Sequence, residues 1–289
     1  MMSLQIYWDE HIGVTLEEKQ RHIYIRDIPE KWLPRICDLM VERSFQLNPL
    51  FAHLKIHELP DVEDSYRRYV MHVLRDECSI MIVDEQSNEI FGVALMKCMT
   101  KEWRSWTIWM QMFDATTLFS RFMLLTRMLV LKYGEEHPEH EFNGLHLFEF
   151  YLHPELRADP VFVAKFFNSI FEVARHMSML RVSFVGITLR EQQLVEAHNF
   201  QSLSHLIYSL VEDEGVRAFQ SLRDIDEMYM VSFQYIVKPL TPFYRMPPNQ
   251  PTDEEDRLKR EPEEPLDDQV SEAVESDIYR RSILKSFIK

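Results

Sequence analysis

The chain has 289 residues, 46% of them hydrophobic and 12% aromatic, which is enough to bury a sizeable core as one large domain or two small ones. Its 47 Asp and Glu against 32 Lys and Arg give a formal charge of −15, and no stretch concentrates the basic residues. That balance argues against a nucleic-acid surface, which needs clustered cations, and makes a cationic small partner the easier fit. Three cysteines, Cys37, Cys78 and Cys98, lie far apart with no CxxC or Cys/His metal spacing, as expected of a reduced, cytoplasmic chain without a metal site.

The opening "MMSLQIYWDEHIG" lacks the basic region and apolar run of a targeting peptide, and residues 1–20 read as an N-terminal extension. "HIYIRDIP" alternates as a strand does, and "EKWLPRICDLMVERSF" follows with Trp32, Ile36, Leu39, Met40 and Phe45 at helical spacing. "VEDSYRRYVMHVLRD" is a second helix with Val62, Tyr66, Tyr69, Val70 and Val73 on one side. In "CSIMIVDEQSNEIFGVALMKCM" two apolar runs flank a polar "DEQSNE", the pattern of a β-hairpin. A long helix is expected from Asp114 to Gly134; its apolar run Phe122–Tyr133 is broken by Arg127 and Lys132 and is too short to span a bilayer. "GLHLFEFYL" reads as a buried strand, "DPVFVAKFFNSIFEVARHMSM" as a helix opened by an Asp cap and a first-turn Pro, and "LRVSFVGI" as another buried strand. The helix "TLREQQLVEAHNF" and the strand "EMYMVSFQYIV" complete a domain over residues 21–245.

From Met246 the sequence turns Pro-rich and charged and is expected to be a disordered acidic tail over 246–289. Its last residues, "YRRSILKSFIK", set Ile283, Leu284, Phe287 and Ile288 among basic residues; this is read first as a solvated terminus and second as a docking segment for a protein partner or an acidic membrane surface. Trp103, Trp106 and Trp109 read as core or loop cover before they read as an amine pocket. His137 and His140 in "EEHPEHEF" read as a solvated helix exit before a metal site.

The order of these elements, an antiparallel meander followed by a strand-helix-strand unit, resembles the GNAT superfamily of acyl-CoA-dependent N-acetyltransferases over roughly residues 20–240. The resemblance rests most on "LHPELRADPVF", which stands where the family carries R/Q-x-x-G-x-G/A after its fourth strand. Within the superfamily it is nearest to the insect arylalkylamine (dopamine) N-acetyltransferases, with "FQLNPLF" in place of an F-x-x-x-E-P-L-like segment. It implies a mixed α/β acyltransferase fold, acetyl-CoA as donor and a primary amine as acceptor. Carried over by position, Arg157 and the backbone of Ala158, Asp159, Val161 and Phe162 would hold the CoA pyrophosphate, and the strand from Phe150 to Leu152 would bond the pantetheine arm.

Three family sites depart from the pattern. Pro160 and Phe162 replace small residues of the phosphate turn, and Pro160 has no N–H to offer. Asn48 stands where the family has a glutamate base, and an amide accepts no proton at neutral pH. Thr188 is the sole hydroxyl in the turn that the family fills with serines. His153, Thr188 and His198 are the remaining catalytic candidates, each read more readily as structural. The expectation is an arylalkylamine N-acetyltransferase-like protein with reduced or lost activity, the alternative being a non-catalytic binding module. An open cleft between the fourth and fifth family strands favours the enzyme, and a cleft filled by Phe162 and its neighbours favours the module.

Overall fold

The structure is a computed structural model that describes residues 6–59, 62–84, 86–99, 123–126, 129, 144–211, 219, 220, 222 and 229–238. The chain divides into two compact units, Met1–Leu240 and Thr241–Lys289, and all the described residues belong to the first. The three tryptophans, His137, His140, both ends of the expected long helix and the acidic tail lie outside the described residues. Residues 123–126 and 129, from the middle of that helix, are helical.

Eight described strands make one sheet: β1 (Tyr7–Leu16), β2 (Lys19–Asp27), β3 (Ile80–Asp84), β4 (Ile90–Met99), β5 (Gly144–Leu152), β6 (Arg181–Gly186), β7 (Gln201–Ile207) and β8 (Tyr229–Ile236), in the order β1-β2-β3-β4-β5-β6-β8-β7. Every neighbouring pair is antiparallel except β5 and β6, which run parallel and need a crossover helix between them. Two strands add to those read from sequence: the N-terminal extension supplies β1, and "QSLSHLI" supplies the edge strand β7.

Alternation along the central strands sends side chains to two cores. Tyr24, Met81, Val83, Val93 and Leu95 face one, with α1 (Leu33–Met40), α2 (Pro49–His53) and α3 (Val62–Leu74). Ile23, Ile25, Ile80, Ile82, Ala94 and Met96 face the other. That second core is covered by the crossover helix α5 (Pro160–His176), which the short α4 (Pro154–Ala158) precedes, and by α6 (Leu189–Ala197). On α5, Phe162, Phe166, Phe167, Ile170 and Phe171 form the inward stripe, and each phenylalanine so buried stabilises by about 1.5–3 kcal/mol relative to exposure.

The pairing of β4 with β5 carries the irregularity that shapes the site. Leu95 pairs with Glu149 and Met96 with Leu147, so Phe148 is an extra residue that bends β5. Downstream of it the parallel partner is lost: β6 pairs with β5 only at Leu145–Val182, His146–Ser183 and Leu147–Phe184. From Phe148 to Leu152, β5 diverges from β6 and leaves a wedge-shaped opening. At its closed end His146 is buried with Nδ1 2.8 Å from Ser183 Oγ, and burial pushes its imidazole down to about 3, so it stays neutral. No described helix is long and apolar enough to cross a membrane.

Candidate active site

On the α1–α3 side of the opening, a pocket with about 470 Å³ of space including its mouth is lined by Phe51, Tyr66, Tyr69, Phe148, Glu149, Phe184 and Glu191 among others. Glu149 is the charged residue inside the apolar run "GLHLFEFYL", and the extra residue at Phe148 sets it on this face. The Tyr66 hydroxyl, from α3, donates to it at 2.8 Å. The Ser44 hydroxyl also donates, from the π-helical turn Val41–Phe45 that continues α1, an insertion of the kind that re-aims a side chain. Burial drives the Glu149 carboxyl up from its ordinary 4.5 to about 7, with the Glu191 charge adding to the rise and the two hydroxyls opposing it. A buried carboxyl that titrates near neutrality can take up and release a proton there, the property a general base needs.

Glu191 lies across the pocket at the start of α6. Its carboxylate accepts the N–H groups of Ile187 and Thr188, both at 3.1 Å, while Thr188 Oγ1 accepts the N–H of Glu191 at 3.3 Å, a reciprocal capping box. The Thr188 hydroxyl is thus engaged in holding the helix start. The lining sets Phe51, Tyr66, Tyr69 and Phe148 around two carboxyls, a setting for an ammonium or an aryl group.

The other candidates from sequence lie outside this lining. Asn48 is buried and caps α2, its Oδ1 accepting from Leu50 N at 3.0 Å and Phe51 N at 3.2 Å. Replacing Asn48 by Ala should therefore cost about 1 kcal/mol in urea unfolding and leave the pH profile of any activity unmoved. His153 packs edge-on against Phe91 at 5.6 Å, and its Nδ1 is buried without a partner. His198 ends α6 and stacks on Phe167 at 4.7 Å, where burial lowers its pKa.

In the turn before α5, Asp159 caps the helix with its own carboxylate, Oδ1 accepting from Val161 N at 2.9 Å and Phe162 N at 3.3 Å. Arg157 N bonds His153 O, Asp159 N bonds Leu156 O, and Pro160 has no N–H. Phe162 points into the second core and is buried with Phe166 and Phe167, so it fills no part of the lined pocket. The Arg157 guanidinium has Nη2 buried without a partner, and burial and the neighbouring Arg190 lower its pKa. The diphosphate of acetyl-CoA, the donor expected from the sequence resemblance, does not fit this turn: the Val161 and Phe162 N–H groups are taken, and a carboxylate sits where the anion would go. The opening beyond the turn is intact. His153 N bonds Phe91 O on β4, so by the alternation of an antiparallel ladder Leu152 and Phe150 aim their backbone groups at the opening, where they have no strand partner among the described residues.

A mixed sheet that splays between two parallel strands, with a crossover helix starting at the splay, is the fold of the GNAT acetyltransferases. Solved structures bear this out. A putative arylalkylamine N-acetyltransferase 7 from the yellow fever mosquito Aedes aegypti superposes with a TM-score of 0.64 at 12% identity, over 81% of this chain and 96% of its own. The Drosophila melanogaster polyamine N-acetyltransferase that forms N-acetylagmatine gives 0.62 at 13% identity, over 74% and 99%. The C-terminal condensation domain of Ebony, solved with β-alanyl-dopamine, gives 0.56 at 16% identity, over 75% and 100%. No protein-family model matches the chain, and no curated protein sequence matches it. Among the described residues no group of three or more His, Cys, Asp or Glu is placed to hold a metal.

Proposed function

We propose that this protein acylates primary amines, arylalkylamines foremost, from a thioester donor, with Glu149 as general base. The observation that carries the reading is the Glu149 carboxyl, raised to about 7 and oriented by Ser44 and Tyr66 in an aromatic pocket beside the opening. The amine enters as its ammonium, drawn by the acidic chain and held by the two pocket carboxyls and the ring faces. Glu149 takes one proton from the ammonium; the freed lone pair attacks the thioester carbonyl, the N–C bond forms and the C–S bond breaks, and the second proton shed by nitrogen passes to the departing sulfur, which leaves as a thiol. Positioning supplies most of such a rate, because the amine is a strong nucleophile once neutral. The neighbours of known chemistry act on or hold compounds of this kind, an acetylated agmatine and a β-alanyl-dopamine, which supports the acceptor class. Activity with acetyl-CoA is reduced in this reading, since the turn withholds its diphosphate site, and free Cys37, Cys78 and Cys98 fit a reducing, cytoplasmic setting.

The closed turn also favours a second reading, a GNAT-fold protein that binds amines without acylating them. The test is to incubate the full chain with phenethylamine and either acetyl-CoA or S-acetylpantetheine and to quantify N-acetylphenethylamine by mass spectrometry. Product from either donor supports the enzyme. Phenethylamine binding by calorimetry with no product from either donor supports the binding module.

A further inference from the structure

The turn and the opening disagree about the donor, and the disagreement carries an inference that rests on the acyl-transfer reading above. We infer that the acyl donor is recognised along a pantetheine-like arm and not through a diphosphate, so that thioesters lacking adenosine diphosphate serve as well as acetyl-CoA.

The negative half follows from the donors at the start of α5. Of the six residues from Arg157 to Phe162, Arg157 and Asp159 bond backbone oxygens, Ala158 lies within the helical turn of α4, Val161 and Phe162 bond the Asp159 carboxylate, and Pro160 has no N–H. An anion would have to displace an internal carboxylate and would still find one donor missing. The positive half is the edge of β5. Phe150 and Leu152 are buried, 6% and 3% exposed, yet their backbone groups on the β6 side have no strand partner among the described residues. Buried backbone amides are nearly always satisfied, and an extended, amide-bearing arm laid along this edge would satisfy them as an added strand does. Its thioester end would then lie at the pocket that holds Glu149. Arg157, with Nη2 buried and without a hydrogen-bond partner among the described residues, lies within electrostatic reach of Arg190 and of Glu191, and is a cation near the turn that a single phosphate on such an arm could meet.

Calorimetric titration of the full chain with S-acetylpantetheine, S-acetyl-4′-phosphopantetheine and acetyl-CoA tests this, with phenethylamine titrated separately. Acetyl-CoA is expected to bind within about tenfold of S-acetylpantetheine, whereas a diphosphate held by several N–H groups would add well over about 100-fold. A preference for acetyl-CoA above about tenfold overturns the inference and leaves the acyl-transfer reading standing. If phenethylamine binds and none of the three donors does, the inference and the acyl-transfer reading fail together. Asp159→Ala, which frees Val161 N and Phe162 N, should raise acetyl-CoA affinity by about tenfold and leave S-acetylpantetheine unchanged. Asp159→Asn keeps the cap and removes the charge, so it should retain the fold and still favour acetyl-CoA over the parent; no gain in either variant overturns the role given to Asp159. Tighter binding of the phosphorylated arm, lost in Arg157→Ala, identifies a phosphopantetheine tethered to a carrier as the source rather than a free thioester.

Discussion

Glu149→Gln is expected to lower the rate of amine acylation by about 10²–10⁴-fold and to flatten its pH dependence. In the parent protein the rate should rise as pH passes about 7, where the buried carboxyl gives up its proton, and level off above it. Glutamine keeps the size of the side chain and an acceptor for one of the two hydroxyls, while the other turns to accept from its NH2, so the variant removes the base with little change in volume. The measurement is kcat against pH from 5 to 9 with phenethylamine at saturation. A variant that keeps the parent's rate and its inflection near 7 would remove Glu149 from the mechanism.

The same carboxyl leaves a mark on stability, with a definite sign. The unfolded chain ionises Glu149 near 4.5 and the folded chain near 7, so the folded state holds the proton longer. Its burial is therefore fully tolerated below about 4.5, and stability falls as pH rises from there to about 7. That interval, at about 1.36 kcal/mol per pH unit, amounts to about 3 kcal/mol above pH 7. His146 has the opposite sign: with its pKa pushed down to about 3, it erodes stability as pH falls below about 6.5. Urea unfolding at pH 8 should thus find Glu149→Gln more stable than the parent, an inactive protein that folds better, as expected where a strained group serves chemistry.

This pocket was hard to read from sequence for a physical reason. Ser44, Tyr66, Glu149 and Glu191 come from four separate elements and meet only when the sheet forms; Ser44 lies 105 positions from Glu149, and Tyr66 lies 83. Periodicity finds faces, and it placed Tyr66 correctly on the buried side of α3 without saying what the hydroxyl reaches. One local signal was available: a glutamate within "GLHLFEFYL", since a carboxylate is rarely placed in a buried strand unless something uses it. The central strands and α5 were legible because both faces of the strands and one stripe of the helix are apolar. β1 was missed because Asp9, Glu10 and His11 break its apolar alternation, and β7 because most of its side chains are exposed or only half-buried at the sheet edge. The self-capped turn was legible from Asp159 and Pro160, whose side-chain chemistry is decided within four residues of chain.

The opening itself should depend on one side chain. Phe184 is the last residue of β6 paired with β5, is buried in the second core, and meets the ring of Phe150 there at 5.6 Å. The two rings pack on the α5 face of the sheet with Phe166 and Phe167, where they brace β5 and β6 at the point where pairing stops. The extra residue at Phe148 starts the divergence and the Phe150–Phe184 contact, backed by Phe166 and Phe167 on α5, holds it. Phe184→Ala should therefore cost about 3–5 kcal/mol in urea unfolding and lower Tm by about 10 °C. Phe184→Leu, which keeps most of the volume, should retain most of that stability. A cost below about 1 kcal/mol for the alanine variant would mean that the bend at Phe148 alone keeps the strands apart.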